Sequence, residues 1–179
     1  MRSVAKHMVA GISIVLLLTG ASAVQAANPA TITVTVTIQN LSVSTSGPIA
    51  FGTVTAGSIT VAADSSEVTN DGNVTETYSL DVTDPASWTA VQAATGVDEY
   101  ALHAQFNSTQ PTAVSFDYTN DALSTTSTAA SATKFAGDQT GLSVAASAVR
   151  YLWFKFEAPS SSTVFTQQTI TVTITAAAG

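Results

Sequence analysis

Cysteine is absent from all 179 residues, which excludes disulfide staples, thiol nucleophiles and Cys-ligated metal centres. Charge is scarce, at 9% Asp, Glu, Lys and Arg, with five cations against twelve anions. Arg2 and Lys6 lie ahead of the first apolar run, so from Ala27 onward only Lys134, Arg150 and Lys155 oppose all twelve acids, three minus twelve giving −9. Binding a polyanion needs clustered Lys and Arg. Nucleic acid is therefore excluded as a partner on charge, and anionic lipid with it. Histidine is limited to His7 and His103, too few for an imidazole zinc site. Neither the Gly-x-Ser-x-Gly elbow of hydrolases nor a Gly-x-x-x-x-Gly-Lys phosphate cradle occurs. Both methionines, Met1 and Met8, also precede Ala27. The remainder is free of sulfur, a composition suited to an oxidising exterior.

Long apolar runs are missing too, with one short exception at the start. Residues 8–18 are almost wholly apolar, follow Arg2 and Lys6, and lead to Ala21-Ser22-Ala23 and Val24-Gln25-Ala26. A positive start, a short apolar stretch and small residues at a cleavage site predict a secretory signal peptide over 1–26. The run falls short of the ~20 residues that span a bilayer, so no stable membrane insertion is expected after cleavage. The chain is expected to be secreted or held at the cell surface, with the periplasm as the alternative, and residues 27–179 to form one domain.

What is plentiful is hydroxyl and β-branching. From Ala27 onward there are 28 Thr and 18 Ser, so the polar surface is built from hydroxyls rather than ions. Period-2 alternation dominates and no long stretch shows a helical period. Residues 31–38 read Thr-Ile-Thr-Val-Thr-Val-Thr-Ile, and after Gln39-Asn40 the apolar phase shifts to Leu41 and Val43. A one-residue phase change marks a bulge or a move between sheets. Further strands are expected at 49–54, 58–62, 67–70, 74–82, 88–93, 100–106, 113–116, 149–157 and 167–175, with Asn70-Asp71-Gly72-Asn73 as a strong turn signal. Residues 118–148 break the rhythm, and 124–133 contain only Ser, Thr and Ala. They read as a long low-complexity surface loop. The expected fold is all-β: a single antiparallel sandwich of about nine to eleven strands, immunoglobulin-like or jelly-roll.

Val68-Thr69-Asn70-Asp71-Gly72-Asn73, followed by Tyr78-Ser79-Leu80 and Pro85-Ala86-Ser87-Trp88, resembles bacterial secreted immunoglobulin-like modules of the CARDB type and those attached to glycosidases. Ile49-Ala50-Phe51-Gly52-Thr53-Val54 is similar to a strand of spore-coat-U-type pilin-like domains. Both resemblances imply a secreted β-sandwich, and neither brings a catalytic residue.

Residue chemistry points away from catalysis. His103 alternates with Tyr100, Leu102, Ala104 and Phe106, which places it on the solvent side of its strand. The close pairs Asp81 and Asp84, Asp98 and Glu99, and Asp117 and Asp121 read as solvated turn acids. A glycosidase would need one acid in an apolar pocket, and calcium would be the better use of such oxygens. No metal, cofactor or catalytic residue is therefore assigned. Three sequons, at Asn40, Asn73 and Asn107, are expected by chance in so Thr-rich a chain. Two sets of contact residues stand out. Tyr151, Trp153 and Lys155 share one face of their strand and form a candidate patch for a sugar ring or a neighbouring subunit. Ile32, Val34, Val36 and Ile38 form a candidate edge or donated strand. The function expected is a non-enzymatic structural subunit of a cell-surface layer, fibre or extracellular matrix, self-associating or binding other surface proteins. An extracellular glycan-binding or adhesin module is the alternative.

Overall fold

The structure is a computed structural model that describes residues 29–179; the expected signal peptide and its cleavage site lie outside these residues. Two units are distinguished, Met1–Val36 and Thr37–Gly179. Of the first, residues 29–36 carry no ladder and all are exposed. The second holds nine strands: β1 Val43–Thr45, β2 Ile59–Val61, β3 Ser66–Asn70, β4 Glu76–Thr83, β5 Thr89–Ala90, β6 Glu99–Phe106, β7 Thr128–Ala129, β8 Val149–Glu157 and β9 Thr171–Ala178. One short 3-10 helix, Ala113–Ser115, interrupts them. Among the described residues no helix is long and apolar enough to cross a membrane.

The strands form two sheets, an arrangement consistent with a β-sandwich. The larger runs β1-β3-β8-β6-β5, with β2 beside β8 as well. Only β5 pairs in parallel. The smaller sheet runs β7-β4-β9. Period-2 sequence explains which side chains face inward. Along β4 burial alternates residue by residue, with Tyr78, Leu80 and Val82 sealed. Tyr100, Leu102, Ala104 and Phe106 of β6 and Leu152, Phe154 and Phe156 of β8 meet them from the opposite sheet. One core results.

The turn at 70–73 fixes one end of the molecule. Asn70 is fully buried, donating through Nδ2 to the carbonyls of Val74 and Val144 and accepting from the Gly72 amide. Gly72 is required there, because a Cβ would collide with the Glu76 side chain and the Asn40 carbonyl.

Four expectations need correction. Residues 118–148 are a surface loop only in part: stretches such as 125–127 and 145–147 are exposed, but Ala122, Leu123, Ala130, Phe135 and Val144 are buried in the core. The Leu123 amide donates to Leu102 of β6 and the Val82 amide of β4 donates to Ser124. With β7 paired to β4, this segment stitches the two sheets together along one flank. Within 124–133 only Ala130 is buried, and most of the other small residues stay exposed on the surface of this segment. Residues 49–54 form no ladder, although Ile49, Phe51 and Val54 pack half-buried against the core. Within 113–116, the 3-10 helix replaces a strand. Residues 31–38, the most regular alternation in the sequence, carry no ladder at all. Alternation specifies which face would be buried, but a partner strand has to supply the hydrogen bonds.

Candidate functional site

Tyr151, Trp153 and Lys155 do share the face of β8 that points away from the core, as alternation requires, but they are not presented alike. Lys155 is only 5% exposed. Its ammonium lies 2.8 Å from Glu157 Oε1 and 5.7–5.8 Å from the rings of Tyr118 and Phe116. The Trp153 indole N–H donates to the Asn107 carbonyl, and Tyr151 is half-buried. A sugar ring would find no free cation here.

His103 belongs to the same buried face, not to solvent: it is fully buried on β6 directly across from Lys155. Its Nδ1 lies 3.2 Å from the Asp117 carbonyl, and Nε2 lies 3.1 Å from Glu157 Oε1. Phe116 and Tyr118 form the cover. Alternation separated the two faces of β6 correctly. It carried no sign that the segment after the 3-10 helix would close over the second one. Burial, then the nearby Lys155 charge, holds the His103 pKa below its ordinary value despite Asp117 and Glu157. For Glu157 burial pulls upward, but hydrogen bonds from Lys155 and Tyr118 and the charges of Lys155 and His103 leave the pKa lowered. The Tyr118 hydroxyl, which donates to Glu157 Oε2 at 2.6 Å, is pushed up to about 12 by that bond and by burial. Asp121, nearly sealed, is raised to about 6, chiefly by burial. On this face Glu157 is paired with Lys155 and bonded by Tyr118, while Asp121 Oδ1 is buried without a hydrogen-bond partner.

The paired acids do local structural work. Asp84 accepts from the Tyr100 hydroxyl and the Ala90 amide. Asp98 accepts from Ser162 and Thr163, and Asp117 from Asn120; these bonds hold both carboxyls below the usual range. Among the described residues no three His, Cys, Asp or Glu side chains are grouped to hold a metal ion.

The open feature is a groove of about 1120 Å3 along the flank opposite the 118–148 segment. Its floor is core: Leu152, Phe154 and Phe156 of β8. Phe51 stands on one wall, while Val172 and Ile174 of β9 form the other. Neither this floor nor these walls carry a charged residue, nor does the rest of the lining. The wall strand β9 pairs with β4 on one side and has no ladder on the other. Its inward residues Val172, Ile174 and Ala176 are consequently only half-buried.

Ile32, Val34, Val36 and Ile38 are 83–88% exposed. Just after them the backbone is held firmly. Asn73 Nδ2 donates to the Ile38 carbonyl, and the Asn40 amide donates to Asn73 Oδ1. The Asn73 amide donates to Asn40 and the Asp71 amide to Ser42, so the run that becomes β1 is already extended before its ladder begins. Sequence singled out these four apolar residues from their spacing; the groove was not legible, because its lining comes from five separate stretches of chain. No family model, curated protein or solved structure matches the chain.

Proposed function

We propose that this chain is a non-enzymatic, secreted structural subunit of a cell-surface layer, fibre or extracellular matrix, built on a sandwich of immunoglobulin-like or jelly-roll type. The observation that carries the reading is the state of residues 31–38: uncharged, β-branched throughout, apolar at every second position, exposed and without a ladder. A free strand of this kind is an aggregation hazard to a solitary monomer, whereas pairing with a neighbour turns it into an assembly contact. The leader composition supports export, and the shortage of cations argues against nucleic acid or anionic lipid as the surface it serves. The alternative, a glycan-binding module using Tyr151 and Trp153, is weakened because Lys155 is sealed and the Trp153 N–H is already bonded.

Sedimentation velocity and negative-stain microscopy of the chain as its own cells export it provide the test. Fibres, sheets or a ladder of oligomers are expected, with a mature start near Ala27 by mass spectrometry. A protein that stays monomeric at every concentration would end this reading.

A further inference from the structure

We propose that the groove on the open flank is the receiving site for residues 31–38 of a second copy of this chain, which adds a strand to the free edge of β9. The inference rests on the subunit reading above and names its contact. Four features of groove and segment agree. The segment is eight residues long, the length of β9. Its apolar residues recur at every second position, so Ile32, Val34 and Val36 would face the core together while the intervening threonines face out beside Thr173 and Thr175. Both surfaces are uncharged, so docking strands no ion. And the edge of β9 offers main-chain donors and acceptors that nothing among the described residues uses.

A second copy is the better donor than the chain itself. In β9 the Ala178 end lies opposite Glu76, whose Oε1 accepts from the Ser42 amide. The polypeptide therefore enters its own domain at the Ala178 end, and a segment folded back into its own groove would run parallel to β9. Folding back would also reverse the chain at residues 38–42, breaking the bonds from Asn73 and Asp71 that hold them extended. A strand arriving from another molecule meets neither restriction and is free to pair antiparallel, the somewhat more stable arrangement. Because the donated strand and the receiving groove are different surfaces, the contact is head-to-tail. Repetition of it gives an open filament unless the rotation happens to close a ring.

The natural absence of cysteine makes a clean test possible. Two single variants of the full chain, Thr35→Cys and Thr173→Cys, place thiols on exposed outward positions of the segment and of β9. Treated together with a short bis-maleimide, they should give a cross-linked heterodimer. That product should be absent when Val114→Cys, exposed but off the groove, replaces Thr173→Cys. It should also be lost when the donor additionally carries Val34→Asp and Val36→Asp. The Thr35→Cys/Thr173→Cys double variant reads the competing occupant: cross-linking within a monomer, with no heterodimer in the mixture, would mean the segment fills its own groove and would overturn the inference. Assemblies that sediment normally without any cross-link would overturn it too, while leaving the subunit reading intact. Absence of both cross-link and assembly would remove the two together.

Discussion

Residues 31–38 and 169–174 are nearly the same text, Thr-Ile-Thr-Val-Thr-Val-Thr-Ile against Thr-Ile-Thr-Val-Thr-Ile, yet they end in different states. Most of the second is β9, fully laddered to β4 from Thr171↔Thr83 to Ala178↔Glu76. The first has no ladder, and its four apolar side chains are exposed. Propensity cannot distinguish them. What differs is the neighbour: β4 is buried at alternate positions and presents an unfilled edge to the later segment. β-Propensity amounts to fitting a pleated, half-buried surface, and only one of the two segments is offered such a surface within the chain.

The two flanks of the molecule show the same contrast on a larger scale. Along one, residues 118–148 tie β6 to β4 and bury Leu123 and Phe135. Along the other, nothing among the described residues covers the edge of β9, and the core is reached through the groove.

The sharpest way to break this contrast is to damage the sealed side and see whether the open side notices. Lys155→Met removes one partner of a buried ion pair and leaves Glu157 without its nearest cation. Stability in denaturant should fall by about 3–5 kcal/mol. A change within error would mean that the His103–Lys155–Glu157 face is wetter than its burial implies.

Next in size is Leu80→Ala on β4, the strand that gives β9 its place. Deleting a fully buried Leu should cost about 2–5 kcal/mol. The matched change Val34→Ala, on the unpaired segment, should leave the unfolding midpoint of the monomer unmoved. Equal losses at the two positions would show that residues 31–38 are part of the domain core after all.

A smaller effect is expected at Asn73. Asn73→Ala deletes the side-chain bonds to Ile38 and Asn40, each worth about 0.5–1.5 kcal/mol net. A loss of about 1 kcal/mol should appear in denaturant unfolding. Assembly should weaken as well, since residues 38–42 would then be freer to reverse.

The pH dependence should carry opposing signatures from one buried face. Asp121 holds its proton up to about 6 in the folded chain, above the usual unfolded value of about 3.9. Its contribution is therefore complete below pH 4, shrinks as pH rises and is gone above 6. His103 and Glu157 are lowered, so their contributions are present at neutral pH and are lost on acidification. Titrating stability in Asp121→Asn against the parent chain isolates the first signature: the variant should gain on the parent between pH 4 and 6. A constant difference across that range would show that Asp121 ionises normally.

Much of the inward pattern could be read before the structure. Tyr78, Leu80 and Val82, and the split of β6 into Tyr100, Leu102, Ala104 and Phe106 against His103 and Gln105, follow from period-2 spacing alone, because successive side chains leave a strand on opposite sides. The Asn70–Asn73 turn was equally plain. What spacing does not contain is the identity of whatever lies across each face. His103 reads as a solvent residue until the 113–121 stretch is seen to cover it. The Ser/Thr/Ala stretch at 124–133 reads as idle surface until Ser124 and Ala130 are seen bonded to β4.

Sequence by itself determined the chemistry that is missing: no thiol, too few imidazoles, too few cations, and strands in place of helices. Those depend on which residues exist and how they alternate, and both are local properties. Tertiary structure decided which alternating segments find partners, which second face is sealed, and which flank stays open. Each of those depends on stretches far apart in the chain coming together, and so on long-range pairing that periodicity leaves undetermined.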